Sequence, residues 1–148
     1  MKKLFSQAIL TGSKGRKKLN KDYFPTTSLS SCCVLGAAML GAFGETEVKR
    51  VKDGFPKSFG AILSDRLQNE FPIMIETCHE VVEKLYDQLI KLGSTSLLVK
   101  GEQGLGELIV IANDESSMTH EDIAGFVQKA ESNLANSNSS IELPETAY

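Results

Sequence analysis

The sequence lacks any run of the roughly 18 apolar residues that a helix needs to cross a bilayer. Its longest apolar stretch, residues 32–43, is shorter than that. This stretch predicts a buried helix, and no transmembrane segment is expected. Residues 1–12 carry two lysines but no sustained apolar core, so no signal peptide is expected either.

Cysteine and histidine are also scarce, with three and two residues. Cys32, Cys33 and Cys78 are an odd number with one adjacent pair, a poor basis for a disulfide framework, and they favour a reducing, cytoplasmic location. Structural zinc sites mostly use spaced ligand pairs, whereas Cys32–Cys33 and Cys78–His79 are each adjacent. We therefore expect no metal, and a chain of this length needs no cofactor to fold.

The composition is that of one globular domain, with 41% hydrophobic and 24% charged residues. The net charge is -3, yet residues 1–21 hold seven of the sixteen Lys and Arg residues and no acid. This basic arm is a candidate binding segment for an acidic partner or a polyanion. The alternative is a solvated, flexible loop. The candidate binding residues in the arm are Lys14, Arg16, Lys17 and Lys18.

The pattern of apolar residues predicts a mostly α fold, a compact bundle of about five helices around a buried central helix. The central helix is expected over residues 31–43, with Ser30 or Ser31 as its cap and Gly44 at its end. Its small residues would let neighbouring backbones approach closely. They are Gly36, Ala37, Ala38, Gly41 and Ala42.

Four further segments have helical spacing or helix-capping residues. They are residues 2–10, ended by Gly12; residues 58–70; a helix from a Thr77–Glu80 capping box to Gly93; and a final helix capped by Thr119. Residues 94–112 allow either one small β-hairpin or a helix that begins near Leu105. A single domain is thus expected over residues 1–131, followed by a disordered polar tail over 132–148.

Three local clusters are candidates for a functional site. Gly101-x-x-Gly104-x-Gly106 does not have the order of a nucleotide-binding fingerprint, and turn glycines explain it better. The polar loop of residues 113–122 is either a recognition surface or a turn with a helix cap. Its candidate binding residues are Asn113, Asp114, Thr119 and His120. Cys32 and Cys33 lie near a predicted helix start, where a thiol can become reactive, but apolar neighbours favour a packing role.

Three motifs in order resemble a family of small uncharacterised bacterial and phage proteins. They are Cys33-Val34-Leu35-Gly36-Ala37-Ala38, Asn113-Asp114 and Thr119-x-Glu121-x-Ile123-Ala124. The resemblance spans about residues 5–131, with Val34 and Ala112 departing from the pattern. It implies that residues 105–113 form a helix, and it implies no activity.

The sequence displays no catalytic constellation, so the first hypothesis for function is a non-enzymatic interaction or regulatory protein. A nucleic-acid-associated regulator that uses the basic arm is the second hypothesis. A small cysteine-dependent enzyme is the third.

Overall fold

The structure is a computed structural model that describes residues 4–25, 28–77 and 79–135. This part of the chain is mostly α-helical, as expected, with two very short strands. The α-helices are α1 (Phe5–Ser13), α2 (Val34–Phe43), α3 (Glu45–Gly54), α4 (Phe59–Glu70), α5 (Glu80–Lys91), α6 (Leu105–Glu115) and α7 (His120–Ala135). A 3-10 helix, Pro72–Ile75, follows α4, and strands β1 (Lys17–Lys18) and β2 (Ser31–Cys32) pair in parallel. No helix in these ranges is both long enough and apolar enough to span a membrane.

Helix α2 is the predicted central helix, and every residue from Val34 to Gly41 is buried. It has no polar side chain, so burial on all sides is its stable environment. Its start differs from the prediction, because Ser31 belongs to β2 and neither Ser30 nor Ser31 is the cap. Cys33 caps the helix instead, with its Sγ 3.3 Å from the amide nitrogen of Gly36. Gly44 ends the helix as expected, with a φ of 87°.

Helices α1 and α2 are in backbone contact through two glycines. A Cβ placed on Gly12 would lie 1.7 Å from the carbonyl oxygen of Ala37, and one on Gly41 would lie 1.9 Å from that of Ala8. The expected close approach at the small residues is therefore present, and α1 is the partner. The prediction that Gly12 ends the first helix is wrong. Gly12 lies inside α1 and forms part of this contact.

Helix α3 was not predicted from the sequence. Only Val48 and Val51 of its residues are buried, which is too sparse an apolar pattern to stand out. Glu47 accepts a hydrogen bond from Arg50 within α3 and another from Arg66 of α4, and the second is a tertiary contact that links the two helices. These guanidinium groups hold the pKa of Glu47 down at about 2.

The segment from Ser94 to Ala112 forms no hairpin, and its second half belongs to α6, the helical alternative that the resemblance also implied. Gly104 and Gly106 let the start of α6 approach the 3-10 helix. A Cβ on Gly104 would lie 2.9 Å from the Met74 carbonyl oxygen, and one on Gly106 would lie 3.2 Å from Met74 Cε. Gly101 has a φ of 85° and serves a turn. Packing and turn geometry thus account for this glycine cluster.

Helix α7 holds the N-terminal end of α1. The buried carboxylate of Glu131 accepts hydrogen bonds from the amide of Phe5, at 2.8 Å, and from the hydroxyl and amide of Ser6. Burial raises the pKa of Glu131, while these hydrogen bonds oppose that shift. The helix continues four residues past the predicted domain end at 131, and Leu134 is buried. The rest of the predicted tail, residues 136–148, lies outside the described residues.

We expect Gly12→Ala to destabilise the protein by about 2 kcal/mol or more, because the added methyl group collides with main-chain atoms of α2. The measurement is thermal or chemical unfolding. Gly125→Ala is the matched control, since open space surrounds Gly125 in α7, and it should leave stability unchanged or raise it by about 0.5 kcal/mol. Equal stability of the two variants would contradict the close helix contact.

Candidate functional site

Three chain segments that are distant in sequence meet beside the start of α2. They are residues 17–23, residues 31–34 and residues 113–120, and we call their meeting point the junction. Most of the polar residues and both cysteines that the sequence suggested as site residues lie here.

Asn113 lies at the centre of the junction and is fully buried. Its Oδ1 accepts a hydrogen bond from the amide of Val34, the first residue of α2, at 3.0 Å. Its Nδ2 donates to the carbonyl oxygen of Leu19, at 2.9 Å, and to Oδ1 of Asp114, at 2.9 Å. One side chain thereby joins the end of α6, the start of α2 and the segment after β1. These bonds use both ends of the amide, so its role here is structural.

Asp114 holds the same segment at a second point. Its Oδ1 accepts a hydrogen bond from the amide of Lys21 at 2.7 Å. Lys21 has a φ of 68°, in the left-handed region that non-glycine residues seldom adopt. The bond to Asp114 helps to offset that conformational cost, and the chain turns here toward Tyr23.

Lys18 and His120 also bond to main-chain carbonyls. Lys18 Nζ donates to Ser116 and Met118, at 2.9 and 2.7 Å, and burial lowers its pKa. Nε2 of the buried His120 lies 2.9 Å from the carbonyl oxygen of Cys32, which requires that this nitrogen carry the proton. Burial lowers the pKa of His120, so the neutral ring is favoured.

The segment from Lys14 to Lys18 of the basic arm is not a free loop, in contrast to the flexible alternative for it. Arg16 donates to the carbonyl oxygens of Leu29 and Gly12, at 2.7 and 3.2 Å, and lies 3.5 Å from a carboxylate oxygen of Glu45. Lys14 and Lys17 are exposed. Of the four candidate residues in the arm, Arg16 and Lys18 are thus held by main-chain carbonyls, whereas Lys14 and Lys17 face solvent.

Thr119 caps α7, in agreement with the alternative that the loop of residues 113–122 is a turn with a helix cap. Its Oγ1 accepts from the amide of Asp122 at 3.1 Å, and Asp122 Oδ2 accepts from the amide of Thr119 at 3.0 Å. This reciprocal pair is a capping box. On α5, by contrast, the predicted Thr77–Glu80 box is replaced by His79, whose Nδ1 accepts from the amide of Val81.

Both described cysteines are free and buried. Burial raises the pKa of Cys32 to about 12 and that of Cys33 to about 11, although amides at the start of α2 lower the latter. Desolvation therefore outweighs the stabilisation of a thiolate by the helix terminus. Within the described ranges, no group of three or more His, Cys, Asp or Glu residues is placed to hold a metal ion.

A row of three depressions passes the junction, and we call this row the groove. The Phe59 depression, about 610 Å³, adjoins the ends of α3 and α4. The Cys33 depression, about 220 Å³, shares Asp22 and Tyr23 with it. The Met74 depression, about 440 Å³, shares Leu35 and Val110 with the Cys33 depression. The shared lining residues show that the Cys33 depression adjoins each of the other two.

The groove differs in charge along its length. Two lysines and two aspartates line the Phe59 depression, namely Asp22, Lys52, Asp53 and Lys57. The charged residues of the Met74 depression are Glu102 and Glu107 alone, among the residues described. Sequence reasoning missed the groove because its walls come from segments far apart in the chain. Asp114 and Cys33, both singled out from the sequence, line it.

No family model, no curated protein and no solved structure matches this chain. The resemblance to small bacterial and phage proteins therefore stays a prediction.

We expect Asn113→Ala to destabilise the protein by about 2 kcal/mol, because it leaves the buried amide of Val34 without an acceptor. Chemical unfolding measures the loss. Asn133→Ala, at an exposed position of α7, is the control and should stay within about 0.5 kcal/mol of the parent protein. If the two variants were equally stable, Asn113 would not be the link that its hydrogen bonds indicate.

We expect Cys32 and Cys33 to react with a thiol reagent at neutral pH about 100-fold more slowly in the folded than in the unfolded chain. The raised pKa values keep both thiols protonated, and burial restricts access. Mass spectrometry of peptides after timed labelling measures each site separately. Labelling of Cys33 in the folded protein as fast as in the unfolded chain would contradict the packing role and favour an enzyme.

Proposed function

We propose that this protein is a non-enzymatic interaction protein that binds a segment of a partner along the groove. The observation that carries the proposal is the row of three adjoining depressions, of which the Cys33 and Met74 depressions have mostly apolar linings. Leu35 and Val110 line both the Cys33 and the Met74 depressions. Ile75 and Ile111 line the Met74 depression, and Ile75 is 60% exposed. Concave apolar surface with a few polar groups is typical of binding sites.

The chemistry beside the groove supports binding over catalysis. Cys33 lines the groove, but the lining of its depression includes no histidine among the described residues. His120 bonds to the carbonyl oxygen of Cys32 and not to a thiol. A cysteine nucleophile needs an activating base or a lowered pKa, and the pKa of Cys33 is raised.

The nucleic-acid hypothesis has less support. Phosphate binding needs several free basic side chains on one face. Two of the four candidate cations, Arg16 and Lys18, donate to main-chain carbonyls instead. The unpaired state of Cys32 and Cys33 fits the reducing, cytoplasmic location that we propose for this protein.

A random library of short displayed peptides, selected on the purified protein, tests the proposal. We expect enriched peptides whose binding is lost on blocking the groove. Gln68→Arg places a long side chain at the Met74 depression, and Ala61→Arg does so at the Phe59 depression. Both positions are exposed on α4, so the fold should be retained.

The matched control is Gln128→Arg, the same change at an exposed position of α7 that does not line the groove. It should bind the selected peptides as the parent protein does. The proposal fails if selection enriches no peptide, or if the enriched peptides bind both groove variants and the control equally well.

A further inference from the structure

The Met74 depression combines an apolar floor with charge of one sign. Leu35, Met74 and Ile111 belong to its apolar lining, which we call the floor. The charged residues that line it, among those the structure describes, are Glu102 and Glu107, and both are acidic. The two glutamates belong to neighbouring segments of the chain. Glu107 lies in the first turn of α6, and Glu102 lies in the loop before that helix. Within the described part of the chain, neither carboxylate forms an ion pair.

We propose that this depression receives a basic, apolar segment of a partner protein, with an aliphatic side chain on the floor and an adjacent Lys or Arg against Glu102 and Glu107. This inference rests on the function proposed above and adds the chemistry of the partner. Complementary charge at the rim of an apolar site selects the partner and fixes its register.

The dimensions fit a short segment. A volume of about 440 Å³ lies within the range of about 300–1,000 Å³ that is usual for ligand pockets. It accommodates a few side chains and is too small for the whole face of a long helix. The neighbouring depressions continue the surface for the rest of the segment.

The two ends of the groove differ in charge, and this difference determines the orientation of the bound partner segment along the groove. The Phe59 depression has Lys52 and Lys57 beside Asp22 and Asp53, so its charges balance. At the Met74 end, the charged groups of the described residues are carboxylates alone. A basic residue of the partner is therefore attracted to the Met74 end and gains less at the other end.

The peptides enriched in the selection described above test the inference by their sequences. We expect them to share a Lys or Arg next to an aliphatic residue. A labelled peptide with that pattern should bind Glu107→Gln and Glu102→Gln about fivefold more weakly each, since exposed ion pairs contribute modestly. Fluorescence polarisation measures the binding, and circular dichroism checks that each variant is folded.

Glu121→Gln is the matched control, because Glu121 is an exposed acid in the first turn of α7, as Glu107 is in that of α6. It should leave peptide binding unchanged. A charge exchange sharpens the test: a peptide with Glu in place of its basic residue should bind the parent protein weakly and regain affinity for Glu107→Lys.

The outcomes separate this inference from the proposed function. Peptides that Gln68→Arg blocks, but that show no basic preference and bind Glu107→Gln, Glu102→Gln and Glu121→Gln alike, overturn the inference and leave the groove as a binding site. Failure to enrich any peptide overturns both.

Discussion

Burial of α2 is the constraint on which the rest of the structure depends. A helix of ten residues without a polar side chain must be covered on every side, and the amides of its first turn need acceptors that the helix itself does not supply. Gly12 and Gly41 allow α1 to cover one side at backbone contact. Asn113 and Cys33 supply acceptors for Val34 and Gly36 at the N-terminal end.

These solutions also shape the face that carries the groove. Because Asn113 and Asp114 hold the segment after β1 against the end of α6, Tyr23 is placed between the Phe59 and Cys33 depressions. Val110, one turn earlier in α6, lies between the Cys33 and Met74 depressions. Of the two residues that cap the central helix, Cys33 lines the proposed binding surface, and Asn113 bonds to Asp114, which also lines it. Changes in either residue would therefore alter the shape of that surface.

Two buried ionisable groups give this fold opposite responses to pH. The pKa of Glu131 is raised, so its contribution to stability is greatest when it is protonated and is lost as pH rises through that pKa. The pKa of His120 is lowered, so its contribution is present at higher pH and is lost as pH falls through the ordinary titration range of histidine. A change of pH therefore affects stability through these two groups with opposite sign. They act at opposite ends of α7, where it contacts α1 and the junction.

The sequence by itself determined the mostly α fold, the central helix, its end at Gly44 and the cap of α7 by Thr119 and Asp122, because each depends on residues within a few positions of one another. It also pointed to Asn113, Asp114, Lys18, His120 and the cysteines, without showing that they share one junction. Tertiary structure alone decided that these groups bond chiefly to main-chain atoms, that Gly12 serves packing, and that α3 forms with only two buried side chains. It alone made the groove, since Leu35, Gln68, Ile75 and Glu107 adjoin one cavity only after four separate elements have packed together.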